Sequence, residues 1–316
     1  MPTLDQYIHA ATRDNTRQSY QSAVRHFEVE WGGFLPATAD SISRYLASYA
    51  ETLAINTLRQ RLAALAQWHI DQGFPDPTKS PIVRKVFRGI QQLHSAPERR
   101  AKPLQLDQLE QVTTWLDAAL AGTVDDPIAQ LRCTRDKALV LLGFWRGFRG
   151  DELARLEVQY VTALPNEGMT CYFPQTKGDR QFKGRTFKAP ALSRLCPVTA
   201  YQKWIALSGL ESGPVFRSIN RWGKLSEDGL NPASIIPLLR SLFDRAGILD
   251  AHQYSAHSLR RGFANWATSN GWDLKTLMEY VGWKNIQSAM RYVDSADPFG
   301  KTRIERTLSQ AGLLSS

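Results

Sequence analysis

HSLRRGFANWATSNG, residues 257–271, has the pattern of a capped amphipathic helix that carries chemistry on one side. Ser255 offers a side-chain cap, and Leu259, Phe263 and Trp266 recur at i, i+4 and i+7, the spacing of such a helix. His257 and Arg260 then project one turn apart from a different part of the helix surface. Upstream, GFWRGFRGDELARL (143–156) places Arg149 and Glu152 at the same three-residue separation. Each pair in isolation reads as ordinary helix decoration. Downstream, EYVGWKNIQSAMRYVD (279–294) changes the balance. Gly282 ends one helix and Asn285 can cap the next, with Ile286, Met290 and Val293 as its apolar stripe. At about 100° per residue, Tyr292 points roughly 130° away from that stripe, so it does not read as a core aromatic.

Taken in order, these segments resemble the boxes of the tyrosine recombinases, or phage-type integrases, in their compact Cre/Xer-like two-domain form. GFRGDEL resembles the first box, with Arg149 as the first catalytic arginine and Glu152 as its acidic support. HSLRR resembles the H-x-x-R box, giving His257 and Arg260. Gly282-Trp283, with Trp283 nine residues before Tyr292, resembles the second histidine-or-tryptophan and the nucleophile. The hairpin lysine is Lys177 in QTKGD or the nearby Lys183. The ordered set Arg, Lys, His-x-x-Arg, Trp, Tyr carries the specificity of the match.

The resemblance implies a site-specific DNA recombinase that cleaves and rejoins duplex DNA through a 3′-phosphotyrosyl intermediate and a Holliday junction. It serves integration, excision or resolution, with a homotetramer on two double-stranded sites. Accessory proteins are left open. A type IB-like topoisomerase and a non-catalytic DNA-binding regulator on the same fold are the alternatives. The residue types suit the chemistry. Arginine forks hold the non-bridging oxygens of a phosphodiester, and a covalent tyrosine ester keeps the bond energy for religation. The resemblance implies that His257 contacts phosphate and handles protons and that the lysine protonates the departing 5′-hydroxyl, while Trp283 can supply an indole N–H. No metal, cofactor or ATP is expected, since arginines supply the charge and no GxxxxGK[ST] loop occurs.

Composition agrees. The chain has 316 residues, 43% hydrophobic and 22% charged, with a net charge of +9 and a polyanionic partner to match. Residues 79–102 carry seven Lys/Arg against one acid, and residues 176–194 carry six against one. Arg84, Lys85, Arg88, Arg180, Lys183 and Arg185 are the candidate DNA contacts. Cys133, Cys171 and Cys196 have neither metal-ligand spacing nor an even count for disulfides. With no apolar run of about 20 residues and no signal-like N-terminus, the expected location is cytoplasmic, nucleoid-associated and without a membrane partner.

The expected fold is mainly α with a small β-hairpin, forming a C-shaped DNA clamp. Residues 1–95 read as a helical core-DNA-binding domain, with helices from Asp14–Thr16 to Trp31, over Ile42–Ala54, from Thr57, and over Ile82–Leu93. SAPERRAKP (95–103) supplies a linker at 96–103, where prolines and charge cluster. Residues 104–316 form an α+β catalytic domain in which MTCYFP (169–174) and RTFKAP (185–190) flank a polar turn as a hairpin. A terminal helix, 301–316, offers a protomer contact.

Overall fold

The computed structural model describes residues 14–94, 100–123, 125–175 and 183–292, together with residues 3, 6, 7, 11 and 12. The chain divides into two compact units, residues 1–99 and 100–316.

In the first unit, α1 (Asp14–Arg25) passes into a single π-helical turn, His26–Glu30, and Gly32 leaves it at φ +77°. Three further α-helices follow among the described residues: α2 (Ala39–Ser48), α3 (Ile55–Asp71) and α4 (Pro81–Leu93). Their shared core is Phe27, Ile42, Tyr45, Leu46, Leu58, Leu65, Val83 and Ile90. α2 starts and stops earlier than Ile42–Ala54, because the Thr38 hydroxyl accepts from the Ser41 N–H and founds the first turn. The buried His69 is satisfied on both sides: its Nδ1 bonds to the Leu65 carbonyl at 2.7 Å, and its Nε2 accepts from Ala37 N–H at 2.8 Å. On α4, Val83 and Ile90 are buried while Arg84, Lys85 and Arg88 are exposed on the other side, roughly 150° away.

The second unit is built around α6 (Pro127–Arg146), which α5 (Leu106–Ala121), α8 (Pro197–Ser208) and α10 (Ala256–Ser269) cover. Nearly every residue from Ala138 to Phe144 is buried, the mark of a helix enclosed on all sides. The Asp126 carboxylate accepts from Ile128 and Ala129 N–H at its start, and Gly147 at φ +57° stops it.

A short α7 (Gly150–Ala154) leads into a three-stranded antiparallel sheet, β1 (Val161–Leu164), β2 (Gly168–Phe173) and β3 (Arg185–Pro190), in that order. The expected hairpin is β2 with β3, in register Cys171↔Phe187. The sequence reading lacks β1 and a second hairpin, β4 (Arg217–Ile219) with β5 (Leu225–Gly229). α9 (Pro232–Arg245), α11 (Leu274–Val281) and α12 (Ile286–Met290) are the remaining helices among the described residues.

The segment entering this unit lies against α10: Leu104 N–H donates to the Ser258 carbonyl at 3.0 Å. Only a glycine permits this approach, since a Cβ at Gly262 would stand 1.9 Å from the Leu104 carbonyl oxygen. The terminal helix expected over 301–316 lies outside the described residues. Among the described residues, no helix is long and apolar enough to cross a membrane.

Candidate active site

The C-terminal end of α6 begins the site. Arg149 is the residue that caps α7 rather than part of a continuous helix, with extended backbone at φ −74°, ψ 157°. Glu152 closes back on it: Oε2 accepts the Arg149 backbone N–H at 2.8 Å and Oε1 accepts its Nη1 at 2.7 Å. The Glu152 side chain is 3% exposed and that of Arg149 27%. The carboxylate therefore orients the guanidinium from below while leaving part of it accessible.

Arg260 completes the pair from α10, whose start is capped by Ser255 as expected. Its Nη1 donates to the Gly147 carbonyl at 2.5 Å and lies 3.8 Å from Glu152 Oε2. One carboxylate thus faces two guanidiniums. The sequence reading sets Arg260 on the helix surface; it is instead 1% exposed. The reason is local packing, because Gly147, Val281 and Trp283 close over this face of α10. Burial, and then the neighbouring Arg149 charge, push its pKa down to about 9, which keeps it protonated at neutral pH. Its Nε and Nη2 are buried with no hydrogen-bond partner among the described residues, as is the Nε1 of Trp283.

Tyr292 joins this group. Its ring stacks on Trp283 at 5.3 Å between centroids and on His257 at 5.9 Å, and the Arg260 guanidinium carbon lies 5.4 Å from its centre. The expected orientation of α12 is reversed. Ile286 and Met290 are 56% and 53% exposed, while Ala289 is fully buried, so the inward face runs through Ala289 and Tyr292, three residues apart. Val293 lies outside the described residues. Tyr292 is near the site because it faces inward, half-buried, and not because it points away from the core.

Arg149, Glu152, Arg185, Trp283, Lys284 and Ser288 line a cleft of about 140 Å³. Arg185 is tied to main chain rather than free: Nη1 donates to the Gly282 carbonyl at 3.0 Å and Nη2 to that of Glu279 at 3.4 Å. Lys183 is described and exposed, whereas Lys177 and Arg180 lie outside the described residues. No cluster of His, Cys, Asp or Glu able to hold a metal occurs among the described residues. Sequence reasoning missed Arg146, which is 1% exposed beneath the cleft. The available signal was a lone cation inside the apolar run LLGFWRGF (141–148).

An ordered set of arginines, an imidazole, an indole and a phenol on this scaffold defines an enzyme of the tyrosine recombinase type. The sequence profile of the phage integrase family matches residues 104–298. An integrase/recombinase xerD homolog of Selenomonas ruminantium is 29% identical over 303 residues, spanning 93% of this chain and 85% of that protein. Recombinase cre of Escherichia phage P1 is 25% identical over 283 residues, 84% of this chain and 78% of that one. Among solved structures, XerH site-specific recombinase bound to palindromic difH substrate aligns with a TM-score of 0.63 at 19% identity. It covers 92% of this chain and 78% of the XerH chain. A lambda integrase dimer on a core site aligns at 0.59 and 16% identity, covering 93% and 95%. The chain belongs to the phage integrase family. It is a tyrosine recombinase, an enzyme of site-specific DNA recombination.

Proposed function

We propose that the protein cuts duplex DNA by attack of Tyr292 on one phosphodiester and rejoins it to a second duplex through a four-way junction. The phenolic oxygen bonds to phosphorus, the bond to the 5′-oxygen breaks, and the 5′-hydroxyl departs with a proton from Lys177 or Lys183. Religation reverses these steps with a new 5′-hydroxyl, so no external energy is consumed. The single observation that carries this reading is the gathering of Arg260, His257 and Trp283 around Tyr292, with Arg149 joined to Arg260 through Glu152.

Deprotonating an ordinary phenol at pH 7 costs about 4 kcal/mol in water, so the attack needs a group that takes the proton. The guanidiniums of Arg149 and Arg260 stabilise the charge that builds on the non-bridging oxygens as phosphorus becomes five-coordinate. His257 contacts phosphate and handles the phenol proton, and Trp283 Nε1 supplies a neutral donor. Arg84, Lys85 and Arg88, with the basic residues near β3, bind the flanking DNA backbone. Residues 301–316 dock on a neighbouring protomer to build a cyclic tetramer on two sites, at the nucleoid.

The test uses a pool of nicked duplexes with a randomised centre, so that no target sequence need be known. The full chain is incubated with the pool, covalent protein–DNA adducts are isolated and their DNA is sequenced. The expected result is an enriched site, an adduct absent from Tyr292→Phe, and recombinants when two copies of the site are supplied. Binding without adduct would leave a DNA-binding regulator. Supercoil relaxation without recombinants would leave a topoisomerase.

A further inference from the structure

Four guanidiniums surround this site, and the reaction as described uses two. Arg146 occupies the last turn of α6, and its fork is buried among aromatic rings. Its guanidinium carbon lies 3.9 Å from the centre of the Tyr280 ring, 5.3 Å from Phe187 and 5.8 Å from Phe148. Its Nη2 donates to the Tyr280 carbonyl at 2.5 Å. Its Nε and Nη1 are buried and have no hydrogen-bond partner among the described residues. Arg185 stacks on the same Phe187 ring at 5.1 Å.

Among the described residues, Glu152 is the carboxylate that faces this cluster, and it is already engaged by Arg149 and Arg260. The cations outnumber the anion by three. A buried charge without a partner is costly, and proteins retain one chiefly where a ligand completes it. On the recombinase reading that ligand is a DNA phosphate. Arg146 also touches the geometry. Carbonyls of the last turn of α11 are unsatisfied within the helix, and Arg146 takes that of Tyr280 while Arg185 takes those of Glu279 and Gly282. The next residue along is Trp283.

We propose that Arg146 is a positioning residue for strand cleavage, a buried charge that raises the positive potential at the scissile phosphate and fixes the turn carrying Trp283. The inference rests on the recombinase reading and deepens it. The electrostatics agree: the Arg146 charge contributes to lowering the pKa of both Arg260 and Arg185, after burial as the main cause. The titratable groups facing Arg146 are Tyr280 on α11, Cys171 on β2, Arg185 on β3 and Arg260 on α10, the last two also facing Glu152. Those facing Tyr292 are His257, Trp283 and Arg260.

A unit charge roughly 8 Å from a reacting centre, at an effective dielectric near 20, is worth about thirtyfold in rate. The experiment is single-turnover adduct formation on the duplex selected from the random pool, at saturating protein, with DNA affinity measured alongside, by wild type, Arg146→Met and Arg146→Lys.

The Met variant is expected to cleave bound DNA about thirtyfold more slowly at pH 7, with its DNA affinity and melting temperature little changed. Arg146→Lys restores most of the rate. A Met variant that cleaves at the wild-type rate, or a loss of rate that Lys does not restore, overturns this inference alone. A pool that yields no wild-type adduct overturns the recombinase reading, and this inference with it.

Discussion

Removing the Glu152 carboxylate tests whether one buried anion organises the site. It makes hydrogen bonds of 2.8 and 2.7 Å to Arg149 and sits 3.8 Å from Arg260. Breaking a fully buried pair by deleting one partner costs about 3–5 kcal/mol. Arg149 is 27% exposed and recovers some hydration, which pulls the figure for Glu152→Ala to about 3 kcal/mol. Arg260, 1% exposed, recovers almost none. For a unit of this size, each kcal/mol moves the melting temperature by about 2–4 °C, so Glu152→Ala should melt roughly 6–12 °C lower. Glu152→Gln keeps one acceptor oxygen and should lose about half as much. Differential scanning fluorimetry reads the stability, and adduct formation at 20 °C, where both variants remain folded, reads the chemistry. Both variants should retain DNA binding but cleave at least tenfold more slowly, because Arg149 is no longer held toward the cleft. If Glu152→Ala melted within 2 °C of wild type (roughly the effect of 1 kcal/mol) and cleaved normally, the carboxylate would be a bystander and the reasoning wrong.

Replacing Arg84, Lys85 and Arg88 together with alanine should reduce the slope of log affinity against log salt by about three on any duplex, measured by fluorescence anisotropy; an unchanged slope would show that these side chains are merely solvated. Gly262→Ala puts a methyl carbon where the Leu104 carbonyl already stands, and should lower the melting temperature by about 3–10 °C. A melting temperature equal to that of wild type would mean that the Leu104 segment moves aside freely. Burial raises the Cys196 thiol pKa, but hydrogen bonds from Thr199 and Leu192 outweigh it and leave the pKa lowered, while Cys171 is pushed up to about 12 by burial. More thiolate at neutral pH means faster alkylation, so iodoacetamide at pH 7.5 should label Cys196 first. Equal labelling of Cys196→Ser and wild type would count against it.

Much of the site was readable because its cues are local. Ser255 before an i, i+4, i+7 pattern is enough to place α10, and with it the spacing of His257 and Arg260. The resemblance supplied Arg149, Trp283 and Tyr292 as an ordered set. What failed depended on size and on distant packing. The outward face of α12 carries its large apolar side chains, Ile286 and Met290, and its inward face carries an alanine, so hydrophobicity pointed the wrong way. The burial of Arg146 could not be seen from its own helix, because the rings that receive it come from β3 and α11. β1 and β4 are short strands of four and three residues, too brief for alternation to declare them.

The stacking of Tyr292 also bears on selectivity. In this arrangement the phenol ring stands against the guanidinium of Arg260 with the indole of Trp283 beside it, and the inner nitrogens of that fork are buried among the described residues. Free phosphate or sulfate should therefore be weak competitors of DNA. A long polyanion, gripped at many points beyond the cleft, would have the binding energy to displace that ring, and on the proposed mechanism the displaced phenol is the nucleophile.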